Sequence, residues 1–121
     1  MENNQKIKNI IEALGKHSDE SAVSILEEIG TNCEDDEIRE LTARALINRN
    51  TEDALSIVLI SKGKGINDLS SRVAMSAINE LVSLEDKSRA IKILDDTIEM
   101  HSEEDVRETA RSVRTLLTFS C

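Results

Sequence analysis

The chain has 121 residues, with no proline, four glycines, one phenylalanine, and neither tryptophan nor tyrosine. Its 24 acidic and 15 basic side chains leave a formal net charge of −9, which opposes nonspecific binding to nucleic acid or to an anionic membrane surface. A hydrophobic content of 39% suits one packed domain and excludes a disordered chain.

No apolar run in the sequence is long enough to span a membrane, and the opening Met1-Glu2-Asn3-Asn4-Gln5-Lys6 leads into an amphipathic segment and not into a signal peptide. Two cysteines, Cys33 and Cys121, make no disulfide framework and point to a reducing, cytoplasmic setting.

Taken in chain order, hydrophobic periodicity predicts about seven helices. The first, about Asn4 to Leu14, carries Ile7, Ile10, Ile11 and Leu14 on one side, and Gly15 is expected to end it. The second runs from about Asp19 to Ile29 with Gly30 as its stop. The third, about Asp36 to Arg49, follows Asp35 and Asp36, which suit a helix start as caps and as negative charges. At about 100° per residue, Ile38, Leu41, Thr42, Ala45 and Leu46 of this helix share a buried face, while Glu40, Ala43, Arg44 and Ile47 point outward. The fourth, about Thr51 to Ser61, is the most apolar, and Lys62-Gly63-Lys64-Gly65 follows as a turn. The fifth is expected over Asp68 to Leu84, the sixth over Lys87 to Glu99 and the seventh over Glu103 to Phe119.

An internal repeat organises these elements. Ala22, Val23, Ile25 and Leu26 return 32 residues later as Ala54, Leu55, Ile57 and Val58, and 36 further on as Ala90, Ile91, Ile93 and Leu94. The same steps carry Leu41, Thr42, Ala45 and Leu46 to Val73, Ala74, Ala77 and Ile78, then to Thr109, Ala110, Val113 and Arg114. Within every copy the two anchors stand 20 residues apart, so a helix pair, A then B, occurs three times. Ser18, Asn50 and Asp86 recur just before the A helices as candidate N-caps, and Ser102 is the candidate cap of the last helix. The four residues added between Ala77 and Ala90 are about one helical turn. The expected organisation is one domain: a capping helix over 1–17, then repeats over 18–50, 51–85 and 86–121.

The second-helix pattern Ile38-Arg39, Ala43, Ala45-Leu46, kept in part by Val106-Arg107 and Ala110, resembles HEAT repeats, and among them the short repeats of the phycobilisome-lyase-type class. The middle copy keeps Ala74, Ala77 and Ile78 but has Ser70-Ser71 where Ile38-Arg39 stand. The resemblance implies an all-α, right-handed superhelical solenoid whose B helices line a concave binding side. It also implies two functions: a noncatalytic scaffold or adaptor for another protein, or a phycobilin-lyase-like subunit or chaperone acting on a tetrapyrrole-bearing protein. DNA binding, known among helical-repeat proteins, is opposed by the net charge and by the lack of stacking aromatics.

On that reading the outward B positions form rows: Glu40, Arg72 and Glu108; Ala43, Met75 and Arg111; Arg44, Ser76 and Ser112; Ile47, Asn79 and Thr115. The candidate partner-binding residues are Arg44, Ile47, Arg72, Met75, Asn79 and Arg111. They would suit an acidic helix or peptide. The alternative is that these arginines are solvated charges paired with Glu40, Glu80 and Glu108 along their own helices.

No catalytic, cofactor or metal constellation is expected. His17 and His101 lie far apart at helix ends, and the Glu34-Asp35-Asp36-Glu37 run lacks the alternation and glycine of a calcium loop. Cys33 sits beside those acids, a setting opposed to a reactive thiolate. Leu116, Leu117 and Phe119 leave two outcomes open: the last segment folds back on helix six, or it makes a homodimer contact.

Overall fold

The computed structural model describes residues 2–17, 19–33, 35–60 and 65–119. Among them are seven α-helices and no strand: α1 Glu2–Lys16, α2 Ser21–Asn32, α3 Asp36–Arg49, α4 Glu52–Ile60, α5 Ser71–Val82, α6 Ser88–Met100 and α7 Glu104–Phe119. A 3-10 turn, Ile66–Asp68, stands between α4 and α5. The odd-numbered helices touch in series, α1 on α3, α3 on α5 and α5 on α7, and the even-numbered ones likewise, α2 on α4 and α4 on α6. One continuous core runs between these rows, with Leu26, Leu55, Leu81, Ala54, Ala77 and Ala90 fully enclosed. Each such leucine contributes about 1.5–3 kcal/mol by leaving water.

Two expected helix stops lie inside helices. Gly15 belongs to α1 and Gly30 to α2, because both sit where a neighbouring helix comes too close for a side chain. A Cβ on Gly15 would stand 3.1 Å from Ala45 Cβ, and one on Gly30 would stand 3.0 Å from the methyl of Thr42. The small residues Thr42 and Ala45 of α3 thus meet glycine on α2 and on α1. Thr42 is buried, and its hydroxyl donates to the Ile38 carbonyl at 2.7 Å.

Of the expected caps, Asp35 and Asp86 accept at helix starts, and Asp19 joins them. Asp19, Asp35 and Asp86 each accept from the N–H two residues on, at 2.9, 2.9 and 3.0 Å. Asn50 does not cap α4. It ends α3 in the left-handed region, φ 51°, and its N–H donates to the Ile47 carbonyl. Asparagine tolerates that conformation better than most residues. At the start of α7 the Glu103 N–H donates to His101 Nδ1 at 3.1 Å. His17 does the same for the Asp19 N–H. The expected cap Ser18, the turn residues Lys62, Gly63 and Lys64, and Glu34 and Cys121 lie outside the described residues.

The arginine of the Ile-Arg and Val-Arg pairs closes the turn inside a helix pair. Arg39 Nε donates to the Cys33 carbonyl at 2.7 Å, and Arg107 donates to the His101 carbonyl; both reach six residues back. The middle pair has Ser71 at this place, and it is also the irregular one. Here α4 and α5 lack the close packing of α2 on α3 and of α6 on α7. The 3-10 turn touches α4, α5 and α7 instead, with Ile66 buried at their meeting point. The fifth helix therefore begins at Ser71, capped by Ser70, and not at Asp68. It ends at Val82, so the extra residues of the longer step form the connection to α6 and not another turn of helix. At 12 residues α5 is shorter than α3, with 14, and α7, with 16.

Candidate functional site

The outward row expected on α3 is the main correction. Ile47 has no exposed surface and Ala43 only 7%. The buried stripe of α3 is Ile38, Thr42, Ala43, Leu46 and Ile47, while Leu41 and Ala45 are only partly covered. The cause is the helix's position: α3 packs on α1, α2, α4 and α5, so little beyond Glu37, Arg44 and Asn48 is left fully open. Ile47 is a core residue and offers nothing to a partner.

Four of the other candidates do come together. Arg44, Arg72, Met75 and Asn79 line one open groove of about 520 Å³ between α3 and α5, with Glu40, Ser76, Glu80 and Ser83. Met75, 56% exposed, is its principal apolar side chain. Its spacing from Arg72 and Asn79, three and four residues, places all three on one face of α5. Arg111 does not line this groove; it pairs with Glu104 on its own helix at 3.4 Å.

The groove's arginines are tied across helices and not along them. Arg72 makes a fork on Glu40, Nε to Oε1 at 3.1 Å and Nη2 to Oε2 at 3.3 Å. Those contacts raise the Arg72 pKa, the hydrogen bond to Glu40 most of all. One helical turn along, Arg44 Nε meets Glu80 Oε1 at 3.0 Å with the signs reversed. The groove carries two positive and two negative side chains and is balanced in charge. Glu40 and Glu80 were both expected as arginine partners, but along their own helices; the repeat step aligns Glu40 with Arg72, whereas Glu80 stands a turn beyond the equivalent of Arg44. A third tie, Lys8 to Glu37 at 2.6 Å, joins α1 to α3.

The remaining candidates are structural. Cys33 is a free, half-buried thiol packed against the core. A narrow crevice of about 40 Å³ between α2, α3 and α4 is lined by Leu26, Gly30, Ala43 and Val58, with Arg39 at its edge already bound to a carbonyl. Among the described residues no group of three or more His, Cys, Asp or Glu side chains is placed to hold a metal, and no helix is long and apolar enough to cross a membrane. Of the three apolar residues at the end of α7, Leu117 is buried with Val106, Ala110 and Val113 where α7 packs on α6, while Leu116 and Phe119 are exposed at 45% and 82%. No protein-family model matches the chain, and neither a curated protein nor a solved structure matches it.

Proposed function

We propose that the chain is a noncatalytic protein-binding scaffold of HEAT-like helix pairs, wound as a right-handed solenoid, that holds its partner in the groove between α3 and α5 in a reducing, cytoplasmic compartment. The observation that carries this reading is the convergence of Arg44, Arg72, Met75 and Asn79 on one open groove around an exposed methionine. Methionine adapts to varied apolar surfaces. It stands near the middle of the odd-numbered row, where a partner is most fully desolvated and binding energy concentrates. The balanced charges of the walls favour a helix that carries both signs over the uniformly acidic peptide that the arginines alone suggested. Such a partner gains charge-assisted hydrogen bonds without breaking the Glu40–Arg72 fork.

The test compares immobilised parent with the double variant Arg72→Glu, Met75→Asp, using lysate of the source organism and quantitative mass spectrometry. Both positions are exposed and neither belongs to the core, so the variant is expected to melt like the parent and to lose the proteins that the parent enriches. Equal capture of the same proteins by a folded double variant moves the binding site elsewhere.

A further inference from the structure

The even-numbered helices carry a second groove of different character, about 300 Å³, between α4 and α6. Its apolar floor is Ile60, Ile93 and Met100, and Met100 is 80% exposed. Its polar lining is Glu52 and Ser56 on α4 and Asp96 and Thr97 on α6, with His101 just past the end of α6; Glu52 and Asp96 are exposed. In contrast to Glu40 and Glu80 across the molecule, neither of these acids has a cationic partner among the described residues. Asp95, the neighbour of Asp96, turns the other way and pairs with Arg114 of α7. Lys92, one turn before Asp96, does not line the groove and makes no ion pair among the described residues.

From this apolar floor between unneutralised carboxylates, on a chain of net charge −9, we infer that the α4/α6 groove docks a basic amphipathic helix of another protein. One apolar side chain of that helix seats beside Met100, and lysine or arginine side chains reach Glu52 and Asp96. The chemistry is that of a helix laid in a groove, read by an apolar anchor and by charges at its edges. Two features favour a cationic occupant over any other. The whole protein's field steers cations toward it, and the rim acids gain partners that the fold does not supply. This surface lies on the even-numbered helices, apart from the α3/α5 groove, and does not depend on the function proposed for it.

The test is a titration of the ¹⁵N-labelled full chain with a synthetic leucine–lysine amphipathic peptide of about 15 residues, long enough to form a helix on binding, followed by protein amide shifts. The expected shifts concentrate on α4 and α6 around Ile60, Ile93 and Met100. Affinity is expected to fall by at least about tenfold in Glu52→Lys, Asp96→Lys, and to weaken as salt is raised. A control variant with the same change in net charge, Glu28→Lys, Glu85→Lys, places both substitutions at exposed positions off the groove and is expected to bind like the parent. A leucine–glutamate peptide of the same length is expected not to bind. The inference is overturned if the shifts spread evenly over the surface, if the two charge variants lose affinity equally, or if the groove variant keeps the parent's affinity. The Arg72→Glu, Met75→Asp variant is expected to bind the peptide unchanged, so that this proposal and the preceding one fail separately.

Discussion

The two helices that form the α3/α5 groove come from equivalent stretches of sequence and behave differently. Ala43 and Ile47 of α3 are buried, whereas Met75 and Asn79, their counterparts one repeat later, are exposed. The buried stripe of α5, Val73, Ala77 and Leu81, corresponds to Leu41, Ala45 and Arg49 of α3 and not to the stripe that α3 buries. Both helices follow the same apolar spacing, but α3 has helices on both sides. Beside α5 the 3-10 turn takes the place of a close α4 contact. Neighbours, more than position within the repeat, decide which face of a repeated helix meets solvent.

Truncating the equivalent residues Ile47 and Asn79 gives the largest expected contrast. Ile47→Ala deletes a fully enclosed side chain and should destabilise by roughly 2–5 kcal/mol, while Asn79→Ala should stay within about 0.5 kcal/mol of the parent. Urea melts of the two variants read the difference, and similar losses would erase the distinction between the walls.

Ala77 is the next probe, being fully buried on α5. Ala77→Leu should cost roughly 1–3 kcal/mol through overpacking. A melt that does not move would mean that α5 packs loosely. A smaller effect is expected at the ion pairs that join the walls. Arg44 and Arg72 are half exposed or more, so Arg44→Ala should cost at most about 1 kcal/mol, with part of that cost lost at high salt.

Acid acts away from both walls. The Ser21 backbone N–H holds the Asp19 carboxyl below its ordinary value of 3.8, the Thr51 hydroxyl does so for Asp53, and the Ser88 hydroxyl for Asp86. Arg107 holds Glu104 below its ordinary 4.5. Each group is more acidic folded than unfolded. Its contribution is therefore fully present above the ordinary value and is lost as pH falls through the folded one. The melting temperature should drop below about pH 4. Replacing Asp86 by Asn should lessen the drop, and the uncharged change Asn79→Ala should leave the profile's shape unchanged.

The sequence revealed the helix count, the bounds of α3 and the odd and even rows through the recurrence of Ala22, Ala54 and Ala90 and of Thr42, Ala74 and Ala110. It also marked the middle pair as deviant, since Ser70-Ser71 replaced the Ile-Arg pair. It misled at Gly15 and Gly30, because a glycine that ends a helix and a glycine that admits a neighbouring helix look alike until the neighbour is placed. Ile47 was misread for a related reason: periodicity gives the spacing of a buried stripe, but a helix covered on several sides buries more than one stripe. The acids that pair with the arginines, Glu40 and Glu80, were legible, but they were assigned to their own helices, because pairing across helices depends on how α3 and α5 sit together.

Binding through this groove requires that α5 present Met75 to solvent although Ala43, its repeat counterpart on α3, is buried, and thiol labelling tests that difference most directly. In a background with Cys33 and Cys121 replaced by Ser, Ala43→Cys and Met75→Cys place one thiol at equivalent repeat positions of α3 and α5. Under native conditions the thiol at position 75 should react with a maleimide near the rate of a free cysteine, and the thiol at position 43 should be protected until the protein is unfolded in urea. Equal native rates at the two positions would contradict the account.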